Sequence, residues 1–551
     1  MEKFEAVVVG AGPAGLAAAY ELARHGTQVL VLERGKFPGA KNVTGGILYG
    51  QSNSPFNLDY LFPDFEQKAP LERDIKSYVM HNIAGDKVKS MDITRLHDHK
   101  TSYAWSVLRA PFDKWFGGRV HKEAEKHGGG ILTNVRVKGP LLENGKIVGV
   151  VSDELDPIKA DVVIAADGAT SDLVRGAGLR GWGPEKHWFQ GVKVVAKMPR
   201  TLLEQQFGLT GRDGSGHLFA GDLFGGCRGG GFLYTNKDTL SIGTVFHLDS
   251  ITAKKTEPHK YLDRLIKHPF FTNLTGGHYD EVEYSGKLIP DGKKSALRFP
   301  YRDNLLAVGD AAGQMKAAGP IIKGMNLGIT AGILAAQSYL TAKRQRRLHH
   351  IGPLYGSYLA NSYVGAELFG KRWMRWFASW KLPNKILEGF VTRPGFIRSK
   401  FGQKRIQKMV SSYRLASIAP DNEFVYVGLP TAVARAVGER VESELPAAKT
   451  RPIDDRIAAL AFDTDIGREH IIVRDASVQA SGAAVTTCPV SSPDSSRGCY
   501  RLETTRDPSG RATQRVVLDT QPCVECGTCA IVAATDWNTP RGGKGVQYAW
   551  G

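Results

Sequence analysis

The residues with the clearest chemical signature lie near the end of the chain. Cys523, Cys526 and Cys529 form a Cys-x2-Cys-x2-Cys run. Three thiolates at this spacing can ligate one corner of a compact iron–sulfur cube, whose fourth iron then takes a more distant cysteine. No cysteine follows Cys529, so the run predicts one cluster rather than two. Structural zinc fits less well, because zinc sites usually combine two separated ligand pairs.

The fourth ligand can come from either of the two other cysteines near this run. Cys499 lies 24 residues before Cys523, whereas Cys488 is followed directly by Pro489. The remaining cysteine, Cys227, has no evident histidine partner, and we expect an incidental thiol there. The chain shows no secretory leader, so clustered cysteines indicate metal ligation rather than a disulfide framework.

The front of the chain carries a dinucleotide-binding pattern. An apolar run, Phe4–Gly10, leads into Gly10-Ala-Gly12-Pro-Ala-Gly15, then a helical stretch and a second strand that ends at Glu33. Gly10 permits the tight turn, Gly12 lets backbone amides meet a pyrophosphate, and Gly15 lets the helix pack on the strand. The helix N-terminus stabilises the phosphate charge, and the Glu33 carboxylate can accept the ribose hydroxyls.

Two later strands narrow the cofactor to FAD. They end in Asp167-Gly168 and in Gly309-Asp310, and with these motifs the chain resembles a large two-motif FAD family. That family includes aromatic hydroxylases, geranylgeranyl reductases and electron-transfer-flavoprotein:quinone oxidoreductases. The resemblance implies that Asp310 holds the ribityl–pyrophosphate part of FAD. The further FAD-binding residues expected are Arg34, Gly45, Gly46, Arg109, Gly309, Gly324, Met325 and Asn326.

Several segments resemble one branch of this family. Residues 41–49, 70–73 and 191–193 are similar to the quinone oxidoreductases and to the Fix-type flavoproteins. Residues 453–463 and 540–548 resemble the small Fix-type ferredoxin, here fused to the flavoprotein. The family pattern Cys-Pro…Tyr favours Cys488 as the fourth ligand, although an insertion interrupts the pattern here.

The resemblance implies a specific electron route. Electrons would pass from reduced electron-transfer flavoprotein through FAD and one 4Fe-4S cluster to a membrane quinone. The same motifs suit the quinone-side subunit of a Fix-type electron-bifurcating complex. A hydroxylase or a prenyl reductase is the other alternative, since it would share the front motifs alone.

Charge and hydropathy bear on the partners. The formal net charge of +17 favours an acidic protein or an anionic membrane, and no nucleic-acid-binding module is recognisable. Residues 371–408 hold eleven Lys or Arg, one acid and three tryptophans, which suits either a packed helix or a peripheral membrane contact. Met325–Ala342 is apolar but short and carries polar residues, so we expect a packed helix. The expected location is the cytoplasmic side of the cell membrane.

The expected fold is an α/β FAD-binding, Rossmann-like fold with an inserted antiparallel substrate domain and a C-terminal ferredoxin-like α+β module. The expected domains are a discontinuous FAD-binding domain (1–75, 101–180 and 296–345), a quinone or substrate domain (76–100 and 181–295), a basic helical segment (346–430), a linker (431–451) and the 4Fe-4S module (452–551).

Overall fold

The computed structural model describes residues 2–43, 46–51, 54, 56–94, 102–318, 321–369, 450–491, 498–506, 510 and 512–551. The predicted basic segment 371–408, Gly45 and nearly all of the linker 431–451 lie outside these residues.

A mostly parallel sheet of eight strands forms the front of the molecule. Its central strand pairs in parallel with a neighbour on each side, which is the arrangement that the sequence predicted around the glycine-rich turn. The strands run in the order β16-β17-β10-β1-β2-β7, with β9 beside β10 and β8 beside β9. They are β1 (Lys3–Val9), β2 (Val29–Leu32), β7 (Gly130–Leu132), β8 (Val137–Glu143), β9 (Lys146–Ser152), β10 (Ile158–Ala165), β16 (Tyr301–Arg302) and β17 (Leu305–Ala307).

A second sheet of nine strands stands against the first. Its order is β15-β11-β14-β13-β12-β4-β6-β3, with β5 beside β4. The strands are β3 (Ile47–Gln51), β4 (Leu71–Ala84), β5 (Lys87–Asp92), β6 (Ser102–Val107), β11 (Trp188–Lys197), β12 (Asp213–Gly221), β13 (Gly229–Thr235), β14 (Thr239–His247) and β15 (Asp280–Pro290). A short hairpin joins β18 (Lys316–Ala318) to β19 (Ile321–Lys323).

The second sheet differs from the expected substrate domain in two respects. Strands β3 and β6, which the sequence placed in the FAD-binding domain, belong to this sheet, because β6 pairs antiparallel with both β3 and β4. The sheet is also not purely antiparallel, since β4 and β12 run in parallel.

Helices cover both sheets in the front part of the chain. They are α1 (Pro13–Ala23), α2 (Leu58–Leu61), α3 (Phe65–Lys68), α4 (Arg109–Glu125), α5 (Asp172–Gly176), α6 (Arg200–Phe207), α7 (Leu248–Lys254), α8 (Pro258–Lys267), α9 (Pro269–Thr275), α10 (Gly292–Ser295), α11 (Met325–Arg344), α12 (Ile351–Ala360) and α13 (Tyr363–Phe369). Helix α11 is almost entirely buried and packs along α1, as a packed helix should. Among the described helices, none is long and apolar enough to cross a membrane.

The tail from residue 450 onward forms a small α+β unit of three antiparallel strand pairs. Its core is continuous with that of the second sheet, so the tail packs against the rest of the chain. Its elements are α14 (Ile453–Ala458), β20 (Ala461–Asp463), β21 (Ile471–Val473), α15 (Val478–Thr487), β22 (Tyr500–Arg506), β23 (Ala512–Leu518), α16 (Cys529–Val532), β24 (Thr535–Trp537) and β25 (Gly545–Gln547). The strand pairs are β20 with β25, β21 with β24 and β22 with β23.

A pair of buried histidines crosses strands β4 and β12. Nε2 of His81 lies 3.1 Å from Nδ1 of His217, and serine hydroxyls contact the outer nitrogen of each ring. Burial lowers the pKa of His217 to about 3 and also lowers the pKa of His81. The pair is therefore neutral at physiological pH.

Candidate functional site

A groove of about 260 Å³ lies between the two sheets, at the carboxyl ends of the parallel strands. This is the edge at which doubly wound α/β folds bind their ligands. The residues that the sequence predicted for the cofactor and that line the groove are Gly10, Gly12, Glu33, Arg34, Gly46, Arg109, Gly309, Asp310, Gly324 and Met325.

Gly10, Gly12 and Gly15 of the turn each lack a side chain for a different structural reason. Gly10 has φ +99°, and a Cβ there would lie 2.3 Å from the carbonyl oxygen of Ala166. A Cβ on Gly15 would lie 2.0 Å from the carbonyl oxygen of Gly10, so close helix–strand packing excludes one. Gly12 has an unstrained φ of −83°, and within the described part of the chain its Cβ would meet only Nδ2 of Asn42, at 3.7 Å. The cradle at Gly12 is therefore open, as a pyrophosphate requires.

Glu33 lies at the end of β2, where its carboxylate is held by the backbone. The N–H of Ala11 donates to Oε2 at 2.7 Å, and the N–H of Gly35 donates to Oε1 at 2.5 Å. Each carboxylate oxygen keeps a further lone pair. These bonds fix the carboxylate at the groove, where it can accept ribose hydroxyls.

Asp310 and Arg109 are two charged residues that line the groove. Burial raises the pKa of Asp310, while Arg109 and Arg180 oppose this rise electrostatically. Nη2 of Arg109 donates to the buried Asp113 at 2.8 Å, so part of its charge is already paired within α4. Arg109 thus lines the groove and also forms an intramolecular ion pair.

Helix α11 starts at the groove as the sequence predicted. Gly324 caps the helix without a side-chain hydrogen bond, which leaves its first amides directed at the groove. Gly324 and Met325 line the groove, but Asn326 lines a separate small cavity beside Leu48 and Trp105. Neither polar atom of the buried Asn326 amide has a hydrogen-bond partner among the residues that the structure describes.

The other end of the groove is lined by two aromatic and two basic side chains that the cofactor pattern did not identify. The rings of Phe232 and Tyr234 stack with centroids 5.1 Å apart, and a Cβ on Gly46 would lie 3.2 Å from the Tyr234 ring. Lys193 and Lys287 line the same end. Burial lowers the pKa of Lys193 to about 8, against the opposing charge of Glu283. This end therefore suits a flat ring with adjacent positive charge.

The five tail cysteines come together in one buried group. The Cys499 side chain hydrogen-bonds with those of both Cys488 and Cys523. The N–H of Glu525 donates to Sγ of Cys523 at 3.3 Å. Because Cys488 and Cys499 both lie in this group, the structure leaves both as candidates for the fourth ligand. Within the described residues, no group of three or more His, Cys, Asp or Glu side chains is arranged so that it could hold a metal ion.

Strands β11 and β15 form a wall shared by the groove and the cysteine group. On one side, Gly191 and Lys287 line the groove. On the other, a Cβ on Gly286 would lie 2.7 Å from Cγ of Pro489, the residue after Cys488. The hydroxyl of Thr528 donates to Oε1 of Gln190 on the same wall. The cysteines therefore pack directly behind the groove.

Comparison with known proteins places the chain in a family. Residues 5–81 match the model of the FAD dependent oxidoreductase family. The chain is 39% identical over 343 residues to the protein FixC of Escherichia coli K12, a match that covers 62% of this chain and 77% of that protein. The chain belongs to the FixC family. The family that the sequence analysis predicted is thereby confirmed.

Other FixC-family comparisons agree. The Azotobacter vinelandii protein FixC is 37% identical over 375 residues, which cover 67% of this chain and 83% of that protein. An Escherichia coli K12 protein named "Probable electron transfer flavoprotein-quinone oxidoreductase YdiS" is 35% identical over 345 residues, 62% of this chain and 78% of that one. The FixC-family chain is thus a flavoprotein oxidoreductase, and the open cradle at Gly12 fits its FAD.

A solved structure shares the fold. The geranylgeranyl bacteriochlorophyll reductase-like protein of Thermoplasma acidophilum aligns with a TM-score of 0.51 and 18% identity, covering 80% of this chain and 97% of that one. This likeness shows the FAD-binding, Rossmann-like fold that was predicted for the front of the chain.

Proposed function

We propose that the protein transfers electrons from reduced electron-transfer flavoprotein, through FAD and one 4Fe-4S cluster, to a membrane quinone. The observation that carries this proposal is the position of the buried cysteine group, which packs against the wall of the groove formed by strands β11 and β15. The name of the relative YdiS supports the choice of donor and acceptor.

The residues of the groove bind and orient the flavin. FAD, when bound, accepts or donates one or two electrons, and an iron–sulfur cluster moves one at a time. Gly12 and the α11 N-terminus offer backbone amides to the pyrophosphate and to the flavin edge, and Glu33 accepts from the ribose. Positive charge around the flavin ring comes from Lys193, Arg109 and the N-terminus of α11. This charge stabilises an anionic reduced flavin.

The cysteine group would hold the cluster. Cys523, Cys526 and Cys529 are the proposed ligands, with Cys488 as the fourth and Cys499 as the alternative. All five are buried, and burial limits solvent access to the cluster. Cysteine thiolates are the ligands that a 4Fe-4S cluster takes, and we propose that residues 452–551 form the ferredoxin-like module.

Membrane contact would come from residues 371–408. Their eleven basic residues and three tryptophans suit a peripheral position on anionic lipid, on the cytoplasmic side of the membrane.

The alternative implied by the resemblance to Fix-type flavoproteins is the quinone-side subunit of an electron-bifurcating complex, and the chain belongs to the FixC family. In that complex the same cofactors would serve while a second carrier of low potential is reduced. NADH-driven ferredoxin reduction by the chain together with its partner flavoprotein would identify this alternative.

An anaerobic assay tests the proposal. Purified protein receives electrons from reduced electron-transfer flavoprotein, and quinone reduction is followed optically in the wild type and in Cys526→Ser. We expect quinone reduction by the wild type and its loss in the variant. Turnover of an aromatic substrate with NADPH and oxygen, unaffected by Cys526→Ser, would instead show a hydroxylase and contradict the proposal.

A further inference from the structure

Glu525 connects the cysteine run to the edge of the FAD groove. It lies between Cys523 and Cys526, and its side chain is only 2% exposed. Nη1 of Arg34 donates to Oε2 at 2.6 Å, and Nζ of Lys41 donates to Oε1 at 3.0 Å. Both basic residues line the groove. A single carboxylate of the tail thus holds two side chains of the cofactor site.

Among the described residues, the hydrogen bonds of the Lys41 ammonium all go to the tail. Besides Glu525, Nζ donates to the carbonyl oxygen of Lys544 at 2.5 Å and to that of Val546 at 2.6 Å. The N–H of Val546 in turn donates to Oε1 of Glu525 at 2.9 Å. Three oxygen atoms of the tail therefore hold the ammonium in place.

The backbone around Glu525 is shaped for this contact. Glu525 has φ +55°, a left-handed conformation that costs an ordinary residue about 1–2 kcal/mol. A Cβ on Gly545 would lie 1.8 Å from Oε1 of Glu525, so the facing strand keeps a glycine there. The strained backbone at Glu525 thus directs the carboxylate at Arg34 and Lys41.

Further contacts tie the tail to the same loop. The N–H of Gly543 donates to the carbonyl oxygen of Arg34 at 2.8 Å, and the N–H of Tyr548 donates to that of Ala40 at 2.9 Å. The loop between Arg34 and Lys41 is thus bonded to the tail along its backbone, with the Glu525 carboxylate at the centre.

We propose that Glu525 is a positioning residue for FAD: by holding Arg34 and Lys41 at the edge of the groove, it makes FAD retention depend on the cysteine run. A loop already held in place binds its ligand without a further ordering cost. By thermodynamic reciprocity, bound FAD must stabilise the tail contact by the same free energy. The inference rests on FAD binding in the groove and not on the presence of the cluster.

Charge alone predicts the opposite result. Glu525 adds a negative charge near a site for an anionic pyrophosphate, so a purely electrostatic role means that its removal strengthens FAD binding. Glutamine retains the shape and a carbonyl acceptor for Lys41 and Val546, but it loses the charge and the acceptor for Arg34, so it keeps part of the positioning contact. Comparison of Glu525→Ala with Glu525→Gln therefore separates positioning from charge.

Glu281 offers a matched control. It is a buried glutamate that also joins the tail to the front of the chain, since Nε of Arg456 donates to its Oε2 at 2.7 Å. It lies on β15 and does not line the groove. Glu281→Ala therefore loosens the tail at a site remote from Arg34 and Lys41.

The test measures the FAD dissociation constant of the full chain by reconstitution and flavin fluorescence. We expect about a tenfold weaker constant in Glu525→Ala, a constant within about threefold of wild type in Glu525→Gln, and no change in Glu281→Ala. Equal or tighter FAD binding by both Glu525 variants overturns the proposal. An equal loss in Glu281→Ala also overturns it, because any loosening of the tail would then suffice.

Hydrogen exchange supplies a second test that needs no variant. We expect FAD to slow amide exchange in residues 523–529 and 540–548 of the wild type. Bound FAD without any such protection overturns the proposal, even where Glu525→Ala fails to fold. A wild-type chain that binds no FAD would contradict the flavin role itself, which is a different outcome.

Discussion

The substitution Gly12→Ala in the glycine turn should weaken FAD binding without disturbing the fold. The position has an extended φ of −83°, and the added methyl would meet nothing closer than 3.7 Å. The substitution should therefore leave the fold intact, and the smaller entropy of the unfolded chain should stabilise it by about 0.4–1 kcal/mol. The methyl would, however, occupy the space in which a pyrophosphate reaches the backbone amides.

The loss of FAD affinity follows from those amides. One hydrogen bond to a charged group contributes about 1.5–3 kcal/mol, so blocking one should weaken FAD binding about 10- to 150-fold. Thermal unfolding of the apoprotein and fluorescence titration with FAD measure the two effects separately. Gly15→Ala is the contrasting variant, since its Cβ would lie 2.0 Å from a carbonyl oxygen and should destabilise the fold itself. An FAD dissociation constant for Gly12→Ala within twofold of wild type would refute this reasoning.

Three further predictions concern the core, the cluster and the membrane. The unfolded chain protonates His217 near pH 6.5 whereas the folded chain does so only near pH 3, so stability must fall with decreasing pH across this interval. From pH 7 to pH 5 the free energy of unfolding should fall by about 2 kcal/mol through this group. The variant His217→Gln should lack this fall, as measured by hydrogen exchange of strand β4. An unchanged pH dependence in the variant would contradict the prediction. Cys488→Ser should lower the iron content per chain, while Cys499→Ser should retain it, and the reverse pattern would assign Cys499 as the ligand. Replacement of the three tryptophans in 371–408 by alanine should abolish salt-sensitive binding to anionic vesicles, and unchanged binding in a sedimentation assay would exclude the membrane contact.

Local pattern was sufficient to predict the dinucleotide turn. The strand before Gly10, the helix after Gly12 and the strand before Glu33 are all present, because each depends on short-range packing and backbone conformation. The helix starts at Pro13, directly after Gly12, since proline suits the first helical turn.

Contacts between distant segments could not be predicted in this way. The ion pair between Arg34 and Glu525 joins residues 491 positions apart, and nothing in either local sequence indicates the other. The membership of β3 and β6 in the second sheet likewise depends on strand pairing, which local composition does not specify. The sequence identified both candidates for the fourth cluster ligand. The structure does not separate them, because Cys488 and Cys499 lie in one buried group.

Cofactor content combined with electron paramagnetic resonance tests the central claim most directly. The anaerobically purified chain is assayed for FAD, iron and zinc, and its spectrum is recorded after reduction with dithionite. We expect one FAD and about four iron atoms per chain, with the signal of a single reduced 4Fe-4S cluster. Zinc in place of iron, two interacting cluster signals, or FAD without any cluster would contradict it.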